Sequence, residues 1–279
     1  MKSLFLSLLV LASTLALADS TYYPKDVQEK IAKNLLKDQA LKDELYKVLT
    51  LGHTRDPKGG ADTLGCEIGT SGCYSHTVLG YDGARKIMFG KIHLKNDGGG
   101  YYIEDVYCKK KFAGGANVGP NAIPNNNKIN CEHTWPQSKF SRAFPAEMQK
   151  SDLNHLYPTD SRANSIRGNL NFADVASDNG ELSSDDCNAS KFGTSVTSGG
   201  DYFEPPTDHK GNVARALFYF SVRYKISIPK EEEAFLRKWH EIDPVDQEEI
   251  NRNETVYQTQ RNRNPFIDYP ALVNQINKF

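Results

Sequence analysis

Residues 130–138, NCEHTWPQS, and residues 151–171, SDLNHLYPTDSRANSIRGNLN, hold the side chains that any fold of this chain must bring together. Glu132 and His133 are adjacent, so on a strand they point to opposite faces. At a strand end or in a turn, one can face a metal while the other faces substrate. A carboxylate is a hard oxygen ligand suited to Mg²⁺. An imidazole, with an ordinary pKa of about 6.5, can take a proton from water near neutral pH. Taken alone the dipeptide is weak evidence, because most Glu-His pairs are surface residues.

The second stretch shifts the balance. Asp152, His155, Asn164, Arg167, Asn169 and Asn171 lie within twenty residues, punctuated by Pro158 and Gly168. Asparagine offers a neutral oxygen to a Mg²⁺ shell that keeps several waters, and arginine suits bidentate contact with phosphate. These groups suffice for metal-assisted phosphodiester hydrolysis, with the cation neutralising the phosphate and leaving oxygen while the imidazole activates water. The plainer alternative is a polar loop, with the asparagines in turns and Asp152 capping a helix. Spacing does not separate the two.

Outward from this centre, residues 22–50 carry Ile31, Leu35, Leu36, Leu41, Leu45, Val48 and Leu49 at helical spacing and predict a helical hairpin. Residues 101–107, YYIEDVY, predict a strand. Residues 174–208 are poor in apolar side chains and read as surface loop. Residues 213–226 predict a helix with Asn212 as its cap, and residues 231–242 another. Asp243-Pro244 opens a further helix, since proline suits a first helical position. Trp135 reads as packing behind His133, with stacking on a base as the lesser alternative. Residues 262–268 read as a buried turn. Arg215, Arg223 and Lys225 read as a solvated helix face, with a polyanion cleft as the alternative. His53, His76, His93, His209 and His240 show no metal spacing.

The chain has 279 residues, 34 Lys+Arg against 35 Asp+Glu, and 38% hydrophobic residues, which excludes collagen, a coiled coil and wholesale disorder. A net charge of −1 excludes a generally basic nucleic-acid binder and leaves room for a locally basic cleft. Lys2, the apolar run over 4–11 and Ala16-Leu17-Ala18 form a secretory signal peptide over 1–18, too short to span a bilayer. Export permits disulfides. With five cysteines, one is left over; no metal-ligand spacing favours a cluster, and Cys187 reads as the odd one. Cys66 and Cys73 can clip a glycine-rich loop, and Cys108 and Cys131 flank a long one.

The two central stretches, NCEHTWPQS and DLNHLYPTDSRANSIRGN, closely resemble the signature of the bacterial endonuclease I family. These are secreted or periplasmic nucleases with a ββα-metal (His-Me finger) site. The resemblance extends to ARKIMFGKIHL (84–94), EDVYC (104–108) and RNRNPFIDYP (261–270). It implies a loop-rich α+β domain over 19–279, with a central ββα-metal motif surrounded by helices. It implies His133 as general base, and a Mg²⁺ held by Glu132 and Asn164, with Asn169 in reserve. Mn²⁺ or Ca²⁺ could take that cation's place. Arg167 would hold the phosphate, with Arg142 as the other candidate, and Cys108 and Cys131 would form a disulfide beside the catalytic strand. In this arrangement residues 102–107 and the segment around His133 supply the two strands, and residues 159–167 begin the helix. Asn154-His155 stands where many relatives carry a histidine pair.

The activity so implied is sequence-nonspecific hydrolysis of DNA, and of RNA besides, to 5′-phosphate ends by a secreted or periplasmic monomer with no membrane partner. Two alternatives stand beside it. One is a phosphodiesterase acting on small nucleotides or lipid headgroups, which competition between polymer and small substrates would separate. The other is an exported DNA-binding protein without turnover, against which the intact Glu132, His133 and Asn164 set weighs.

Overall fold

The computed structural model describes residues 21–183 and 186–279, so the signal peptide expected at 1–18 lies outside the described residues. The expected helical hairpin forms as α1 (Lys25–Ala32) and α2 (Asp38–Thr50), which bury Val27, Ile31, Leu41, Leu45, Val48 and Leu49. Strand β1 (Gly52–Thr54) runs antiparallel between β2 (Thr63–Cys66) and β3 (Cys73–Tyr74), and a Cys66–Cys73 disulfide joins the outer strands. Gly52 has to be glycine there, because a Cβ would collide with the Cys66 carbonyl and both bridge sulfurs. Helix α3 (Tyr81–Ile87) runs into a π-helical turn, Met88–Ile92.

A small antiparallel sheet follows, β4 (Lys95–Asn96), β5 (Tyr101–Glu104) and β6 (Lys111–Phe112). The strand expected through residue 107 stops at Glu104. Asp105 accepts the N–H groups of Tyr107, Cys108 and Lys110 at 2.8–3.0 Å, and this turn competes with the ladder.

The centre is β7 (Ile129–His133) paired antiparallel with β8 (Leu156–Asp160), followed at once by α5 (Ser161–Arg167). Between the strands lie α4 (Ala146–Lys150) and a 3₁₀ turn, Leu153–His155. This is the expected ββα unit with a different second strand: β8 takes the place foreseen for residues 102–107. Pro158 made that stretch look like punctuation. It is tolerated because the sheet has two strands only, so a missing N–H sits at an edge. Residues 101–107 approach β8 through two bonds, Val106 N–H to the Pro158 carbonyl at 2.9 Å and Asp160 N–H to Asp105 Oδ1 at 3.2 Å.

Residues 174–208, expected as loop, contain the antiparallel sheet β9 (Val175–Asp178), β10 (Lys191–Ser195) and β11 (Asp201–Glu204). These strands are legible only through single inward residues such as Val175 and Phe203.

Helix α6 (Lys210–Tyr224) is buried almost all round and forms the axis of the larger core, with α7 (Lys230–Ile242), α2 and the C-terminal segment packed on it. Asn212 lies inside the helix and caps nothing. The free Gly211 N–H is met from outside, by Asp243 Oδ2 at 2.7 Å. Arg215 and Arg223 are buried, so neither a solvated face nor a cleft describes them; Arg215 forms an ion pair with Glu249. Only Lys225 is exposed, its ammonium 3.9 Å from the Tyr46 ring centre. Helix α8 (Gln247–Gln260) starts after Asp246, whose side chain accepts the Glu249 N–H, leaving Pro244 outside. The expected buried turn is α9 (Pro265–Asp268).

A smaller core of Met88, Phe89, Ile103, Ile129, Cys131, Leu153, Leu156 and Val256 sits against the β7–β8 ribbon. It explains why the Cys108–Cys131 disulfide does not exist. The Cys131 side chain points into this core as a buried free thiol, while Cys108 lies in the larger core. Cys108 bonds Cys187 instead, the residue expected to be unpaired, across 79 positions. On the chain-entropy account a loop of that length is worth roughly 4–5 kcal/mol.

Candidate active site

Strand β7 ends at His133, opposite Leu156, and α5 folds back beside it. Together they form a cleft of about 340 Å³ lined by Glu132, His133, Gln137, Asn164, Arg167 and Asn169, with Tyr81 at its edge. Helix α5 is set by its ends. Asp160 caps it by accepting the N–H groups of Arg162 and Ala163, and Gly168 closes it at φ +50°.

The His133 ring is fixed from one side. Its Nε2 lies 3.0 Å from the Lys150 carbonyl, which can only accept, so the proton is on Nε2 and the lone pair is on Nδ1. Gln137 Nε2 approaches that Nδ1 at 3.4 Å. Rings of Tyr81 and His155 pack against it at 5.5 and 5.4 Å. Burial, helped by the neighbouring His155, pushes its pKa down to about 3, so the imidazole is neutral at physiological pH.

Glu132 is buried, and the desolvation raises its pKa against the pull of Arg167 and a hydrogen bond from Tyr107. Both partners reach one oxygen: Tyr107 O–H donates to Oε1 at 2.8 Å, and Arg167 Nη1 stands 2.8 Å from it. Asn164 turns its Nδ2 to the Cys131 carbonyl at 3.5 Å, which leaves Oδ1 as the free end of the amide.

Arg167 is only 1% exposed. Its Nη1 donates to the His133 carbonyl at 2.9 Å and its Nη2 to the Thr134 carbonyl at 2.6 Å, so this guanidinium braces the end of β7 from beneath. Asn169 stands on the rim, its Nδ2 3.4 Å from Ser138 Oγ. Arg142 is exposed before α4 and does not line the cleft. Asp152 lies behind the site. Its carboxylate accepts from Tyr219, Tyr224, Gln260 and Asn154, and caps the turn that delivers His155. Although burial raises it, His76 and His155 and these bonds hold its pKa below the usual value. Trp135 is buried and stacked on Phe220, as packing predicted.

Sequence reasoning passed over Tyr107, Gln137, Tyr81 and the Lys150 carbonyl. Tyr107 stands in the EDVYC segment, where nothing marks it apart from other strand residues; a main-chain carbonyl carries no residue signal at all.

Among the described residues, no three His, Cys, Asp or Glu side chains converge as a metal cluster. Two hard oxygen donors, Glu132 and Asn164, nevertheless face one cleft with room for water. That fits a cation such as Mg²⁺, which keeps much of its hydration. The Cys131 thiol is a poor ligand for a softer metal, since burial pushes it up to about 12.

A sequence profile of the Endonuclease I family matches residues 73–271. The chain belongs to the endonuclease I family. Among its relatives is an extracellular ribonuclease of Bacillus subtilis (strain 168), 34% identical over 186 residues, 60% of this chain and 58% of the relative. The extracellular ribonuclease of Bacillus amyloliquefaciens is 36% identical over 53% of each chain. An extracellular deoxyribonuclease of Aeromonas hydrophila is 28% identical over 50% of this chain and 59% of its own. This endonuclease I chain thus spans little more than half the length of these relatives.

Proposed function

We propose that this protein is an exported, divalent-metal-dependent endonuclease hydrolysing phosphodiester bonds of DNA and RNA without sequence preference. The observation that carries the reading is the tautomer of His133. With Nε2–H tied to the Lys150 carbonyl, the lone pair of Nδ1 remains in a cleft that also contains Glu132 and Asn164. Water gives a proton to Nδ1 as its oxygen attacks phosphorus. The bond to O3′ breaks, and the products are a 5′-phosphate and a 3′-hydroxyl that takes its proton from solvent.

Glu132 and Asn164 would hold the cation, Mg²⁺ by donor chemistry with Mn²⁺ or Ca²⁺ as substitutes; when bound it neutralises charge on the phosphate and the leaving oxygen. Arg167 acts through Glu132 and the end of β7, and Lys150 and Arg85, both beside the Tyr81 ring, supply positive charge near the rim. Contact through phosphate carries no base information, and the ribonuclease and deoxyribonuclease names among the relatives support indifference to the sugar. Export is supported by two disulfides and by the extracellular relatives. Among the described residues, no helix is long and apolar enough to cross a membrane.

The test is nicking of supercoiled plasmid by the mature protein, with Mg²⁺ and with EDTA, beside His133→Ala. Nicking is expected only with the metal, and the variant, checked to be folded, should lose roughly 10²- to 10⁴-fold in rate. A folded wild type that leaves plasmid intact in Mg²⁺ refutes the assignment.

A further inference from the structure

Tyr107 lies on the turn after β5, fully buried, and donates its hydroxyl to Glu132 Oε1 at 2.8 Å. Arg167 Nη1 meets the same oxygen, also at 2.8 Å. The hydroxyl hydrogen-bonds that oxygen, and the guanidinium, whose own hydrogen bonds go to main-chain carbonyls, faces it as an ion pair. Among the described residues no side chain donates to Oε2, whose lone pairs stay available. The carboxylate is therefore divided, one oxygen facing protein donors and the other left for a ligand.

A buried tyrosine hydroxyl needs some acceptor, and a main-chain carbonyl would have served packing alone. The hydroxyl is also placed independently of any ligand. The ring packs on Phe203 with centroids 4.6 Å apart, the Tyr107 N–H bonds Asp105, and its carbonyl accepts from Ser190 Oγ at 2.8 Å. Cys108, the next residue, is anchored to Cys187. The ion pair with Arg167 by itself would leave the carboxylate free to turn about its last bond; the hydroxyl donor, reaching it from another element, restrains that rotation.

We propose that Tyr107 is a positioning residue for the cation: together with Arg167 it occupies Oε1 of Glu132 and so presents Oε2 to the metal. This rests on the reading of Glu132 as a cation ligand. Outer partners of metal ligands commonly contribute ten- to a hundredfold in affinity.

The experiment is Mn²⁺ binding to the full, nucleic-acid-free protein, followed by the electron paramagnetic resonance of free Mn²⁺, for wild type, Glu132→Ala and Tyr107→Phe. Phenylalanine keeps the ring against Phe203 and removes only the donor. The expected result is saturable binding by wild type, its loss in Glu132→Ala, and a dissociation constant raised roughly ten- to a hundredfold in Tyr107→Phe. Cleavage lost by Tyr107→Phe at low Mn²⁺ should return as Mn²⁺ is raised, which a general loss of structure would not allow. If Tyr107→Phe does not fold, Ser190→Ala, which releases the Tyr107 carbonyl away from the cleft, should raise the constant by a few-fold. Binding lost in Glu132→Ala but unchanged in the folded Tyr107→Phe, or in Ser190→Ala where that variant stands in, overturns the role of Tyr107 alone. Wild-type binding that Glu132→Ala leaves intact overturns the metal reading beneath it.

Discussion

His133 is fitted as a base by its surroundings more than by its residue type. A solvated histidine would be half protonated at about pH 6.5. Burial pushes His133 down to about 3, so the neutral form persists far below neutrality. Losing the lone pair requires pH near that value, so a fall in rate on acidification from pH 8 to 5 should not come from this group. A phosphate anion in the cleft favours imidazolium and raises the value, the direction a proton acceptor needs. In ¹⁵N spectra of the metal-free protein we expect an Nε2–H tautomer without titration between pH 5 and 8. A midpoint between 6 and 7 would contradict the buried, carbonyl-bound ring. Glu132, His133 and Asn164 could be singled out from the sequence through the resemblance of the two stretches that hold them to the endonuclease I signature, since spacing alone left a polar loop equally open. Tyr107 could not, since its bond to Glu132 spans 25 positions. Arg215 misled for the same reason, its partner Glu249 being 34 residues away.

At the scale of elements, α5 is only seven residues long and carries both Asn164 and Arg167. A helix this short has little intrinsic stability, and its ends and packing must supply it. Asp160 caps it and also forms a 3.1 Å ion pair with Lys110. Asp160→Ala should cost about 1 kcal/mol, read as a lower urea midpoint at unchanged slope, with Asp160→Asn recovering most of it because asparagine caps equally well. Equal losses in the two variants would show that charge matters and the cap does not. Elements with a strong period, α1, α2, α6 and α7, were legible in the sequence, as were the helix and strand that bear the site. The second strand was not, because Pro158 argues against a strand unless one already knows that the ribbon has a free edge. The start of α8 was placed too early for a related reason: proline and Asp246 are both good helix openers, and the capping bond decided between them.

Over the whole molecule, near-zero net charge conceals a strongly uneven interior. Six histidines, His76, His93, His133, His155, His209 and His240, have depressed pKa values, in each case chiefly through burial. A histidine kept neutral in the fold but free to charge once unfolded contributes stability that is fully present above about pH 6.5 and is lost as pH falls below it, down to its folded value. Buried carboxylates with raised values, Glu132, Glu232 and Glu249, act in the opposite sense, so a single-site comparison isolates one histidine. His209 suits this, because it lies at the edge of Tyr157, its Nε2 has no hydrogen-bond partner among the described residues, and it is remote from the cleft lining. His209→Phe removes the group that must charge on unfolding and retains an aromatic ring in its place. The difference in unfolding free energy between variant and wild type should therefore move in favour of the variant by about 1 kcal/mol per pH unit between pH 6 and 4.5. Above pH 7 it should be constant. Denaturation curves that stay parallel through the acidic range would mean that His209 is already protonated in the fold, against its burial beside Arg252 and Lys109.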